Sequence, residues 1–179
     1  MTSRAEKDAR KAAAIAKRVA VEQEYDRLAF LMKDDHQKEF LEGIENFNTS
    51  SLRTSSYGFA SLLVPLMICE RNGIAVDDNV YKALISKMAA DGFDFIDNPP
   101  GRDTSLAVAI AFSRPNVVRM LIPHTNLDHR DKNGNTPLMI AESEGEAECA
   151  DVIRAHLLAK DERRELEDLL GVPPSRDRR

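Results

Sequence analysis

The feature that most constrains this chain is a segment that occurs twice. Val64-Pro65-Leu66-Met67-Ile68-Cys69-Glu70-Arg71-Asn72-Gly73 matches Thr136-Pro137-Leu138-Met139-Ile140-Ala141-Glu142-Ser143-Glu144-Gly145 at an offset of 72, sharing Pro, Leu, Met, Ile, Glu and Gly. Between them lies Thr104-Ser105-Leu106-Ala107-Val108-Ala109-Ile110-Ala111, 40 residues after the first copy and 32 before the last. The offset of 32 also aligns Val117 with Cys149, and His124 with both Gly92 and His156. A period of this length means one small unit repeated, each copy burying its apolar side against the next. The longer first interval places eight extra residues after Gly73.

The last copy shows what the unit is. Gly134 supplies the positive φ of a tight turn. Thr136 is placed to cap the first free N–H groups of a helix, and Pro137 fits its first turn. Leu138 and Ala141 share one face, and alanine there allows a neighbouring helix to approach. Gly145 ends the short helix, and Cys149, Val152 and Ile153 make a second amphipathic stripe. The unit is helix, turn, helix. In the middle copy Thr104 caps, Leu106 and Ala109 pack, Pro115 opens the second helix, and Val117, Val118, Leu121 and Ile122 form its apolar face. In the first copy the inserted residues lengthen the loop and second helix, with Asp77 or Asp78 as cap and Val80, Leu84, Ile85 and Met88 as apolar face. Pro65 sits awkwardly inside an ordered stretch from Phe59, so a break or kink is expected close to Val64.

A unit of about 33 residues carrying Thr-Pro-Leu-x-x-Ala resembles the ankyrin repeat, and the resemblance covers residues 58–158. It departs from the family where Met67, Ala107 and Met139 replace the usual histidine, where Val64 replaces the capping threonine, and where Ser113-Arg114 replaces Gly-His. The fold this implies is all-α: an ankyrin-like helix-turn-helix repeat solenoid with helical amino- and carboxyl-terminal caps.

The flanks fit that plan. Residues 1–33 read as a basic, Ala-rich helix. Its second half carries a stripe of Val21, Tyr25, Leu28 and Met32, and its first half has little to bury and is expected to fray or to be partly disordered. Residues 34–57 hold a capping helix, with Phe40, Leu41, Ile44 and Phe47 on one face, and a polar loop. Residues 159–172 read as a carboxyl-terminal capping helix stopped by Gly171 and Pro173-Pro174, and 173–179 as a tail.

Composition narrows the function. The net charge of −5 divides into +3 over residues 1–33, −8 over 34–159 and zero over 160–179. An acidic body argues against a general nucleic-acid binder, leaving the basic helix as the element that could bind nucleic acid or another anionic surface, or self-associate into a homo-oligomer. No apolar run approaches the roughly 20 residues of a membrane span, and the amino-terminal residues lack the apolar core of a signal peptide. The expected location is cytoplasmic, with delivery into another cell left open. Cys69 and Cys149 read as buried, inert thiols, and His36, His124, His129 and His156 share no ligand spacing, so no metal or cofactor is expected. Asp34-Asp35 and Asp77-Asp78 read as helix caps. There is no phosphate loop or nucleophile signature, so no catalytic residue and no small-molecule substrate are assigned.

The resemblance implies that function lies in a surface that binds another protein, as an adaptor, inhibitor or effector. In the family, the position after Thr-Pro-Leu-His and the loop tips point toward the concave face. Here these are Ile68, Val108 and Ile140, with Arg102, Asp103, His129, Arg130, Lys132 and Asn133 at the tips. An apolar row on that face is either a partner site or a seat for another part of the chain, for which the amino-terminal helix is the candidate.

Overall fold

A computed structural model describes residues 4–33, 36–49, 62–93, 95 and 104–171. Among them are helices α1 (Arg4–Lys33), α2 (Gln37–Asn46), α3 (Leu63–Arg71), α4 (Asp78–Ala90), α5 (Ser105–Ala111), α6 (Pro115–Leu121), α7 (Pro137–Ser143) and α8 (Ala147–Leu169). A short 3-10 turn, Ile122–His124, extends α6, and no strand occurs among the described residues. The expected all-α repeat architecture is what forms.

Capping explains where the short helices begin. Thr104 Oγ1 accepts the Ala107 N–H at 3.1 Å, Thr136 Oγ1 accepts that of Met139 at 3.4 Å, and Asp77 Oδ1 accepts that of Asn79 at 2.7 Å. Between the two aspartates the sequence had left open, Asp77 is the cap. The expected break at Pro65 takes a simple form. Helix α3 begins at Leu63, so Pro65 falls in the first turn, where its missing N–H would have had no intrahelical acceptor.

The helices stack in two rows. Helices α1, α3, α5 and α7 pack successively along the inner row and α2, α4, α6 and α8 along the outer, and each inner helix packs on the outer helix that follows it. Four two-helix layers result. One core runs through them: Tyr25, Leu28 and Met32 from α1, Phe40 and Ile44 from α2, Leu66 and Leu84 from the next layer, Leu106 and Val118 from the third, Ala141 and Ile153 from the last. Gly43 leaves room for the close approach of α1 and α2, since a Cβ there would lie 2.5 Å from Leu28 Cδ2 and displace that buried side chain.

Polar side chains tie successive layers together. The Gln37 amide donates from Nε2 to Ala75 O at 2.7 Å and accepts the Asp77 N–H on Oε1 at 3.0 Å, pinning the inserted loop to α2. Thr49 donates its N–H and its hydroxyl to Asp91 Oδ2, each at 2.8 Å, and Lys87 Nζ lies 2.6 Å from Asp91 Oδ1. Burial works against the charge on Asp91, but these donors outweigh it and hold the carboxyl below the usual carboxylate range. Glu70 Oε2 accepts the Tyr81 hydroxyl at 2.6 Å and stands 3.1 Å from Arg114 Nε, joining the second and third layers. Ser113 Oγ donates to Glu146 Oε1 at 2.7 Å, joining the third and fourth.

The terminal helices outgrow their layers. Helix α1 runs unbroken from Arg4 through the alanine run, with Ile15 and Val19 exposed. Helix α8 passes through residue 158 without interruption, so residues 159–169 continue the last repeat instead of forming a separate helix. Leu158, Leu166, Leu169 and Leu170 are exposed. Asp34-Asp35, Phe59, Arg102, Asp103 and the tail 173–179 lie outside the described residues.

Candidate partner-binding face

The face starts from the repeat register. Ile68, Val108 and Ile140 each lie four residues after the motif positions Val64, Thr104 and Thr136, on the successively packed helices α3, α5 and α7. Each is half-buried and packed against the core, leaving one edge to solvent. At the same ends of α3 and α5, the Arg71 guanidinium sits 5.8 Å from the Phe112 ring centroid, a cation–π contact between neighbouring layers. Helix α1 occupies the inner position of the first layer, packed on α2 and α3.

The loop before α7 is built around one carboxylate. Asp131 Oδ1 accepts the N–H groups of Asn133 and Asn135, both at 2.8 Å, and the Asp131 N–H donates to Asn135 O at 3.0 Å. The hydrogen bond from Asn135 leads in holding the Asp131 carboxyl below its ordinary value. Gly134 has φ +83° and donates its N–H to Asp131 O at 3.0 Å, the positive-φ turn expected from the sequence. Arg130 Nη1 donates to Gly134 O at 2.7 Å, which folds this guanidinium onto the turn. Lys132 and Asn133 stand exposed at the apex, and His129 is half-buried beside them. The tip therefore presents a hydrogen-bonded backbone with the polar side chains of Lys132 and Asn133 exposed.

Chemistry of other kinds finds little footing among the described residues. No three His, Cys, Asp or Glu side chains gather where they could hold a metal ion. Cys69 and Cys149 are both buried and neither forms a disulfide, and burial pushes the Cys149 thiol up to about 11, far from a reactive thiolate. The repeat-equivalent His124 and His156 have unlike surroundings. His124 stacks on Phe95 with centroids 5.4 Å apart, whereas His156 lines an open cleft between α6 and α8. No helix of the described residues is long and apolar enough to cross a membrane.

Sequence reasoning missed two features near this face. Ser113, at the position where Gly73 and Gly145 adopt positive φ, does the same at +55°. The substitution of serine for the family's glycine is visible in the sequence, and its hydroxyl partner Glu146, 33 residues on, is not. The layer ties through Glu70, Asp91 and Gln37 left no local signal.

A two-row stack of helix pairs joined by turned loops defines a repeat solenoid. The family model for ankyrin repeats (3 copies) matches residues 66–162, more than half the chain, and the chain belongs to the ankyrin repeat family. No curated protein matches it significantly. Ankyrin repeats are generally protein–protein interaction modules and are typically non-catalytic.

Proposed function

We propose that this chain is a binding module that seats a partner protein on Ile68, Val108 and Ile140 and reads it with the loop tips, acting as an adaptor, an inhibitor or an effector. The tips are Arg102 and Asp103 together with His129, Arg130, Lys132 and Asn133. The supporting observation is the row itself: three apolar side chains at one register on three stacked inner helices, each with an edge left to solvent. The exposed Lys132 and Asn133, in the loop that leads into α7, supply polar groups of the kind a protein interface has at its rim.

The test is affinity capture with the full chain, followed by titration of the purified partner against Ile140→Asp and Arg130→Glu. Both side chains lie at the surface of the array, and circular dichroism confirms that the fold is kept. Loss of one anchor weakens binding by about tenfold or more. Equal affinity for the parent and both variants removes the face from the proposal.

A further inference from the structure

Apart from Met139 on α7, the large exposed apolar side chains of the described residues lie on or next to the two terminal helices. Helix α1 has 30 residues beside the 10 of α2, and α8 has 23 beside the 7 of α7. In α1 the core-facing Val21, Tyr25, Leu28 and Met32 share one side, and at 100° per residue Ala12, Ile15, Val19 and Phe30 fall roughly opposite. In α8 the buried Cys149, Ala150 and Ile153 lie early, and Leu158, Leu166 and Leu169 lie roughly opposite them, 60% exposed or more. Exposed apolar side chains gathered on one face of a helix mark candidate binding surfaces.

We infer that the two stripes fit each other between copies: the first half of α1 in one molecule lies along α8 of a second. Charge selects this pairing. Residues 4–20 carry six Lys/Arg against two Asp/Glu, whereas residues 147–169 carry seven Asp/Glu against four Lys/Arg. Pairing α1 with α1, or α8 with α8, brings like charges together, and only the unlike pair attracts. Shape agrees. The leucine stripe runs back into the open cleft of about 560 Å³ between α6 and α8, where Ile122, Pro123, Val152 and Ala155 meet Glu148 and Asp151. An alanine-rich basic helix of about 25 Å matches a receiving helix of about 35 Å. The molecule's own α1 cannot fill the site. Tyr25, Leu28 and Met32 bury it in the first layer, three layer spacings of about 8–10 Å from α8. Such an unlike contact closes as a two-fold pair with two α1–α8 seams, or propagates from molecule to molecule.

Two variants of the full chain test it by sedimentation and light scattering. One carries Ile15→Asp and Val19→Asp, the other Leu158→Asp and Leu166→Asp. The parent shows an average mass that rises with concentration and falls as salt is added. Each variant alone is monomeric, and an equimolar mixture gives a one-to-one heterodimer, because one intact α1 then meets one intact α8. A parent that stays monomeric at every concentration overturns the inference, as does a mixture that stays monomeric. Self-association of the first variant alone would mean α8–α8 pairing, and of the second alone α1–α1 pairing; either overturns it. If an aspartate variant loses helicity, charge reversal replaces it. Lys11→Glu with Lys17→Glu, or Glu162→Lys with Glu165→Lys, each weakens association, and all four together restore it. Failure to restore it counts against the pairing.

Discussion

The repeat unit that best preserves the family motif is not the one the fold buries most deeply. In the last layer Thr136-Pro137-Leu138 is intact, yet Leu138 is only half-buried and Met139 is 44% exposed. In the first repeat a valine stands at the threonine position and the helix starts early, at Leu63, yet Leu66 and Met67 are completely buried. The motif sets where a helix begins and which way its leucine points. Burial is set by how many layers lie on either side. Helix α3 has α1 before it and α5 after it, while α7 packs on α5 and α8.

That contrast is open to measurement, most directly through the leucines. Leu66→Ala should cost about 3 kcal/mol, the usual range for emptying a fully packed site. Leu138→Ala should cost about half as much, because solvent already reaches that side chain. Urea denaturation of the two variants compares them. Equal losses would mean that the motif, and not the layer count, sets the energetics.

The two carboxylates that organise loops offer a second comparison. Asp91 and Asp131 each gather several donors and each has a lowered pKa, but Asp91 ties separate layers whereas Asp131 ties only its own turn. Asp91→Asn should cost about 2 kcal/mol, the scale of hydrogen bonds to a charged group. Asp131→Asn should cost less. Because the Asp91 carboxyl is held below its ordinary 3.8, its contribution is complete above that value. It is lost as pH falls through the lowered folded value. Acid unfolding of Asp91→Asn should therefore begin from a lower stability with a shallower pH dependence than the parent.

The smallest effect is expected at Ser113. Glycine stands at the equivalent place in the other two repeats, and a serine at φ +55° is strained. Ser113→Gly relieves that strain but gives up the hydrogen bond to Glu146, a net gain of about 0.5 kcal/mol. A lower melting temperature would show that the tie between layers outweighs the backbone strain.

Much of the array could be read before any coordinates. The caps at Thr104 and Thr136, the turn at Gly134 and the apolar faces Val80-Leu84-Ile85-Met88 and Val117-Val118-Leu121-Ile122 all follow from local propensity and helical periodicity, and the buried positions match. Local periodicity extends the last helix through Leu166 and Leu169 but does not say what covers them: no layer lies beyond α8 among the described residues, and Leu158, Leu166 and Leu169 are exposed. For the candidate face, register placed Ile68, Val108 and Ile140 at equivalent positions, while nothing local showed that Arg130 folds onto the turn at Gly134.

The sequence by itself determined the unit: its period, its helix starts and the side each helix turns inward. These depend on contacts within a few residues, where backbone geometry and capping act. Only the tertiary structure decided which leucines are covered and which polar groups join layers, as with Thr49 and Asp91, 42 residues apart. Those outcomes depend on groups far apart in the chain, and nothing in a residue's immediate neighbours encodes what will be stacked against it.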